Sequence, residues 1–188
     1  MNRIALLLTL CLVALSLTAP PAESRTARRA AAQQNPGDFW LHQDTFRRQA
    51  KMAFDGEMAR EKSGDCVDAK TTYETNVCLD KAIDATTANY KAYTGALRSL
   101  LGLKPPGSEG VEEADGPTGK PLTSEELVKE FDEVEAAWET YRKAQCAAAY
   151  DEFRGGTIAP SMFGFCALRL MRGRMRDLDS IYYTRLHL

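Results

Sequence analysis

The fold is decided by one stretch of the sequence, Trp138-Glu139-Thr140-Tyr141-Arg142-Lys143-Ala144-Gln145-Cys146. Trp138, Arg142 and Cys146 follow one another at intervals of four residues. On a helix of 3.6 residues per turn they therefore form one slowly drifting stripe. This stripe predicts the place where helices pack, where a disulfide is anchored and where an arginine is held at least half-buried.

The helix that carries this stretch has a clear predicted start. Thr123 and Glu126 form a Thr-x-x-Glu capping box, and the helical pattern runs from there to about Phe153. Its acidic residues mostly fall off the apolar stripe, so we expect them on a solvated face. The stripe itself is predicted to consist of Leu127, Phe131, Val134, Trp138, Tyr141, Gln145 and Ala148.

A turn with two glycines, Gly155-Gly156-Thr157-Ile158-Ala159-Pro160, separates this helix from a last helix that runs from Met162 to about Arg185. Cys146 precedes the turn and Cys166 follows it at comparable distances, so the two come level in an antiparallel helix pair. We therefore predict a Cys146–Cys166 disulfide. The inward residues of the last helix should be Leu168, Met171, Met175, Leu178 and Tyr182.

The remaining cysteines of the body, Cys66 and Cys78, pair by elimination. In one continuous helix they would stand about 18 Å apart, whereas a disulfide needs Cα atoms within about 7 Å. The helix must therefore begin between them, and the capping box of Thr71 and Glu74 supplies that beginning. A core-facing stripe then runs to about Leu101 through Leu79, Ile83, Thr86, Tyr90, Tyr93, Leu97 and Leu100.

The N-terminal region has the pattern of an exported protein. Residues 1–22 combine a positive start, an apolar run and small residues, which is typical of a signal peptide; an uncleaved anchor is the alternative. A disordered leader over 23–38 and a helix over 39–62 should follow, and Gly64 suits the end of that helix. In an oxidising compartment four cysteines favour two disulfides over free thiols. Glycines and prolines predict a flexible loop over 102–121.

Composition and motifs argue against catalysis. The chain has 24 basic and 26 acidic residues, so it lacks the basic surplus of a nucleic-acid-binding protein. It has no CxxC pair, and His42 and His187 lie near opposite ends of the mature chain, so we expect no metal site and no cofactor. No catalytic triad, phosphate loop or zinc motif is present, and we expect no enzyme. The charge is uneven: residues 109–139 carry eleven acidic residues and two lysines.

Three motifs together resemble the LprI-like lysozyme inhibitors, a family of bacterial envelope proteins. They are Cys66-x2-Ala69-x-Thr71-x2-Glu74-x3-Cys78, Trp138-x2-Tyr141-Arg142-x3-Cys146, and the Gly155-Gly156 turn followed by Cys166 and an arginine-rich helix. The resemblance covers about residues 62–182 and implies a small, exported, helical domain with two disulfides, here 63–188. The run Asp84–Tyr90 departs from the family's usual Asp-x2-Leu-Asn pattern.

The overall expectation is therefore an all-α protein: a small antiparallel helical bundle stapled by two disulfides, with an additional N-terminal helix. It should be periplasmic or secreted, with no membrane span after signal cleavage, and should bind lysozyme or another envelope protein. The alternative function is a structural or stress-related periplasmic interaction module with no effect on lysozyme. We expect Arg154 and Arg172 to be exposed partner-binding residues. Arg142 should be structural, stacked on an aromatic ring or paired with Glu74 or Asp84.

Overall fold

The computed structural model describes residues 36–107, 119 and 121–188. The predicted signal peptide, the leader up to residue 35 and most of the predicted loop over 102–121 lie outside these residues. The all-α prediction is confirmed, because the described part of the chain folds into helices and contains no strand. The helices are α1 (Pro36–Ser63), α2 (Thr72–Leu101), α3 (Ser124–Asp151), α4 (Ala159–Ile181) and α5 (Tyr183–His187).

The starts of α2 and α3 follow from their capping boxes. The Thr71 hydroxyl accepts the N–H of Glu74 at 3.2 Å, and the Glu74 carboxylate accepts the N–H of Thr71 at 3.1 Å. Thr123 and Glu126 make the same reciprocal pair, at 3.2 and 2.8 Å. Each box satisfies two backbone donors that the first turn would otherwise leave without a partner.

Two other helices begin earlier than predicted. Helix α1 starts at Pro36 and α4 at Ala159, each three residues before the expected position. Both starts carry a proline, whose fixed φ suits the first turn and whose missing N–H is not needed there. Helix α1 ends at Ser63, one residue after the predicted end, and Gly64 then adopts a φ of +81°.

Helix α4 lies at the centre of the bundle. It packs against α2 on one side and α3 on the other, while α1 packs mainly on α2 and α5 contacts α1 and α4. Tyr93, Leu97 and Leu101 of α2 meet Met175 and Leu178 of α4 in the main core. All five of these side chains are almost completely buried, so the predicted inward stripes of α2 and α4 are confirmed in this region.

The predicted inward stripe of α3 is partly wrong. Val134 is 51% exposed and Tyr141 is 53% exposed, and Gln145 and Ala148 are exposed as well. The helix is rotated so that Glu135 lies between α3 and its neighbours, where it accepts hydrogen bonds from Arg174. The spacing of apolar residues does not predict the inner face of α3, because charged residues occupy the centre of that face. Helix α3 also ends at Asp151, two residues before the predicted end.

The last predicted helix is interrupted. Helix α4 ends at Ile181, and the short α5 follows after Tyr182 rather than continuing the same helix to Arg185. The break places Leu186 in the main core, where it is buried. None of the helices in the described residues combines the length and the hydropathy that a membrane span requires.

Gly95 and Gly164 both lie inside helices, and their surroundings predict opposite effects of an alanine substitution. A Cβ added to Gly95 of α2 would have no heavy atom within 4 Å, whereas one added to Gly164 of α4 would lie 3.1 Å from Leu79 Cβ. Gly95→Ala should therefore stabilise the protein by about 1 kcal/mol, the helix propensity difference. Gly164→Ala should destabilise it, because overpacking costs about 1–3 kcal/mol and offsets that gain.

Urea denaturation of the two variants against the parent protein measures this difference. The close approach of α2 to α4 at Gly164 is contradicted if both substitutions raise the free energy of unfolding equally.

Candidate functional site

The four cysteines pair as the sequence predicts. Cys66 and Cys78 have Cα atoms 5.7 Å apart, and Cys146 and Cys166 have Cα atoms 5.5 Å apart, each pair joined by a disulfide. Ala69 lies in the short arm that the first disulfide holds against the beginning of α2. The second disulfide is buried and packs with Ala167, Met171, Ile83, Tyr90 and Trp138.

Arg142 is held beside the buried disulfide by two neighbours on its own helix. Its guanidinium donates to both carboxylate oxygens of Glu139, at 2.8 and 2.7 Å, and lies 5.9 Å from the centre of the Trp138 ring. Trp138 in turn stacks on Tyr90 of α2, with ring centres 5.1 Å apart. Of the two expected alternatives, the contact with an aromatic ring is present, and the carboxylate that pairs with Arg142 is Glu139 of the same helix rather than Glu74 or Asp84.

Replacing Arg142 by alanine should lower the free energy of unfolding by roughly 1 kcal/mol. The variant loses a two-point ion pair and the contact with Trp138, and the Arg142 side chain is only 17% exposed. Lys143→Ala is the matched control. Lys143 also pairs with Glu139 but is 70% exposed, so its loss should cost less than about 0.5 kcal/mol. Urea denaturation compares them, and equal effects would contradict a structural role for Arg142.

Arg172 is not an exposed partner-binding residue, and that expectation is wrong. It is 5% exposed and lies inside the bundle. Its Nε donates to Glu57 of α1 at 2.7 Å, and its Nη2 donates to Asp65, in the segment after α1, at 3.1 Å. Arg172 therefore binds the N-terminal helix to the centre of the molecule rather than facing a partner.

Glu57 is the buried centre of this ion-pair network and has no exposed surface. Its carboxylate accepts hydrogen bonds from Thr86 at 2.7 Å, Asn89 at 2.8 Å and Arg60 at 2.9 Å, besides that from Arg172. Burial raises its pKa, but the three hydrogen bonds from Thr86, Asn89 and Arg172, together with the charge of Arg60, outweigh burial and hold the pKa below its ordinary value. The carboxylate is thus fully satisfied as an anion.

A second polar cluster lies on the other side of α4. Glu135 of α3 accepts hydrogen bonds from Arg174 of α4, at 2.9 and 2.7 Å, and from the hydroxyl of Tyr90 of α2. Burial, followed by this bond to Glu135, raises the pKa of Tyr90 well above its ordinary value. The arginines of α4 thus bind α1 through Arg172 and α3 through Arg174.

A groove of about 440 Å³ lies between α2 and α3. Both helices pack on α4, and Arg98 of α2, which lines the groove, pairs with Asp132 of α3 at 2.7 Å. Its walls include Tyr90, Gly95 and Trp138. The groove could not be predicted from the sequence, because it forms between separate helices and its lining includes charged residues.

The other predicted residues lie on the surface. Arg154 is exposed at the turn after α3 and pairs with Asp151. Gly155 adopts a φ of +88° in the same turn, a conformation that favours glycine, and Gly156 follows it. On α3, eight acidic residues stand against three basic ones. Part of this acidic surface is already paired within the protein, as Asp132 with Arg98 and Glu139 with Arg142.

An uncharacterized protein of Rhizobium meliloti (strain 1021) is 24% identical over 123 residues, which is 65% of this chain and 82% of that relative. No solved structure matches the chain. The family model described as "Lysozyme inhibitor LprI" matches residues 64–178, which include both disulfides and helices α2 to α4 almost entirely. Because this match spans more than half of the chain, the protein belongs to the LprI family of lysozyme inhibitors.

Proposed function

We propose that the protein is an exported binding protein of the bacterial envelope that binds and inhibits lysozyme. The observation that carries this proposal is the family match over residues 64–178. Two disulfides fit the same setting, since they persist in oxidising compartments such as the periplasm or the cell exterior. The signal peptide expected over residues 1–22 would bring the chain there.

The charge of the surface supports lysozyme as the partner. C-type lysozymes are strongly basic, and they cut the cell wall with two carboxylates in a cleft. The first half of α3 exposes carboxylates, among them Glu130 and Glu133. Such a surface steers a basic partner towards the protein and raises the association rate. Recognition by an outer surface needs no reactive group in the inhibitor.

The direct test is the lysis of a bacterial cell-wall suspension by C-type lysozyme. Mature, oxidised protein is added at increasing molar ratio, and turbidity reports the remaining lytic activity. We expect saturable inhibition. Unchanged lysis at a large molar excess would remove the proposal, and capture of a different envelope protein from periplasmic extract would then favour the alternative interaction module.

The acidic surface has its own matched test. The double variant Glu130→Lys/Glu133→Lys reverses two charges on α3, and Asp38→Lys/Asp44→Lys makes the same change in net charge on α1, which precedes the region matched by the family. We expect the α3 variant to need a much higher concentration for half-inhibition and the α1 variant to resemble the parent protein. Equal effects of the two variants would show that inhibition depends on the net charge of the protein and not on this surface of α3.

A further inference from the structure

A second cavity, of about 390 Å³, opens on the surface where α2, α3 and α4 meet near both disulfides. Asp80 lies two positions after Cys78, Ala147 directly follows Cys146, and Phe163 lies three positions before Cys166. The Cys146–Cys166 disulfide therefore fixes the α3 wall of this cavity relative to its α4 wall. Its lining residues are Asp80, Ala147, Tyr150, Asp151, Pro160 and Phe163.

The cavity combines two carboxylates, those of Asp80 and Asp151, with two aromatic rings. Asp80 is exposed, and nothing in the described part of the chain forms a hydrogen bond or an ion pair with its side chain. The second acidic residue, Asp151, already pairs with Arg154. Tyr150 is 38% exposed and Phe163 is 37% exposed, so both residues keep accessible surface in the cavity that Asp80 also lines.

We propose that this cavity binds a basic side chain, arginine or lysine, presented by a protein partner. A cation over an aromatic face is attracted by the negative charge of the ring, and arginine also stacks on the ring plane. The same cation would neutralise Asp80 through a charge-assisted hydrogen bond. Ala147 and Pro160 offer apolar surface to the aliphatic part of a long basic side chain.

Charge complementarity selects this occupant over the others. An apolar side chain would bury the Asp80 carboxylate without a partner, which is costly. An anionic group would be repelled by Asp80. Lysozyme, which is rich in exposed arginine and lysine, meets the requirement. The choice of lysozyme as the source of the cation rests on the proposed function, whereas the chemistry of the cavity does not.

The first experiment uses a small probe. N-acetyl-arginine amide is titrated into the mature protein while the ring resonances of Tyr150 and Phe163 are followed by NMR, and N-acetyl-citrulline amide serves as the neutral isostere. We expect saturable shifts with the arginine probe only. They should be lost in Asp80→Asn and retained in Asp84→Asn. Asp84 lies one turn further along α2, is also exposed and does not line the cavity.

The second experiment uses lysozyme. Asp80→Asn should weaken its binding by about tenfold relative to Asp84→Asn, the effect of losing one charge-assisted hydrogen bond. If lysozyme binds but the two variants bind it equally, the cavity proposal is overturned and the proposed function stands. If lysozyme does not bind but the arginine probe shifts both rings in an Asp80-dependent way, the proposed function fails and the cavity proposal stands. No ring shift with the arginine probe overturns the cavity proposal.

Discussion

Replacing Glu57 by alanine should lower the free energy of unfolding by about 3–5 kcal/mol at neutral pH, the cost of breaking a buried ion pair from one side. The substitution leaves Arg172, itself 5% exposed, without one of its two carboxylates. It also removes the acceptor of Thr86 and Asn89, which no longer have a partner there. Urea denaturation followed by circular dichroism measures the loss.

Glu61→Ala is the matched control for this prediction. Glu61 lies one turn further along α1 and also pairs with an arginine of α4, Arg176, but these side chains are 35% and 47% exposed. An ion pair of this kind contributes about 0–1 kcal/mol. If the two substitutions cost the same, the Glu57 network does not hold α1 to the bundle.

The network should also make stability depend on pH. The pKa of Glu57 is lower in the folded protein than its ordinary value of 4.5. Its stabilising contribution is therefore present above pH 4.5 and is lost as the pH falls through the lower, folded pKa. We expect the stability difference between the parent protein and Glu57→Gln to shrink as the pH is lowered from 7 towards 3. A difference that stays constant over this range would contradict the assignment.

Removing the buried disulfide should have the second largest effect. Cys146 and Cys166 close a loop of 20 residues, and loss of such a link costs about 3 kcal/mol in the chain-entropy account. Cys146 is completely buried and Cys166 almost so, so alanine at both positions also leaves a cavity against Met171. The double variant Cys146→Ala/Cys166→Ala should therefore unfold at a markedly lower temperature.

The other disulfide provides the comparison. Cys66 and Cys78 close a shorter loop of 12 residues and are only half-buried. Cys66→Ala/Cys78→Ala should therefore cost less than the loss of the buried pair. Differential scanning calorimetry ranks the two variants, and a reversed order would contradict the central position of the buried disulfide.

Local signals in the sequence predicted the starts of α2 and α3 well. A capping box is complete within four residues, so Thr71 with Glu74 and Thr123 with Glu126 could be recognised without knowledge of the fold. The cysteine pairing followed from similarly simple geometry. The sequence does not predict which face of α3 points inward, because that face includes the charged residue Glu135. Glu135 can lie on the inner face because it pairs with Arg174 of α4.

The burial of Arg172 is indicated by the spacing of its apolar neighbours on α4. Leu168, Met171, Arg172 and Met175 follow one another at the spacings of a single helix face, and all four are buried. An arginine on such a face requires buried carboxylates. Glu57 occupies a comparable position, four residues after the buried Ala53 of α1. The pairing of Glu57 with Arg172 could be predicted from the sequence only if the packing of α1 against α4 were already known.

Helix α1 is an integral part of the fold although it precedes the region matched by the family. That match begins at residue 64, immediately after α1 ends at Ser63. Even so, Glu57 of α1 completes the partners of Arg172, and Ala50 and Ala53 pack in the core with Tyr93. The matched region alone would expose this core surface and leave Arg172 with Asp65 as its remaining carboxylate.

The proposed binding of lysozyme is tested most directly by calorimetric titration of C-type lysozyme with the mature, oxidised protein at low and at physiological ionic strength. We predict saturable binding that weakens as salt rises, because an acidic surface attracts a basic partner through charges that salt screens. The absence of binding at low ionic strength, with both disulfides intact and the protein folded, would contradict a lysozyme-binding function.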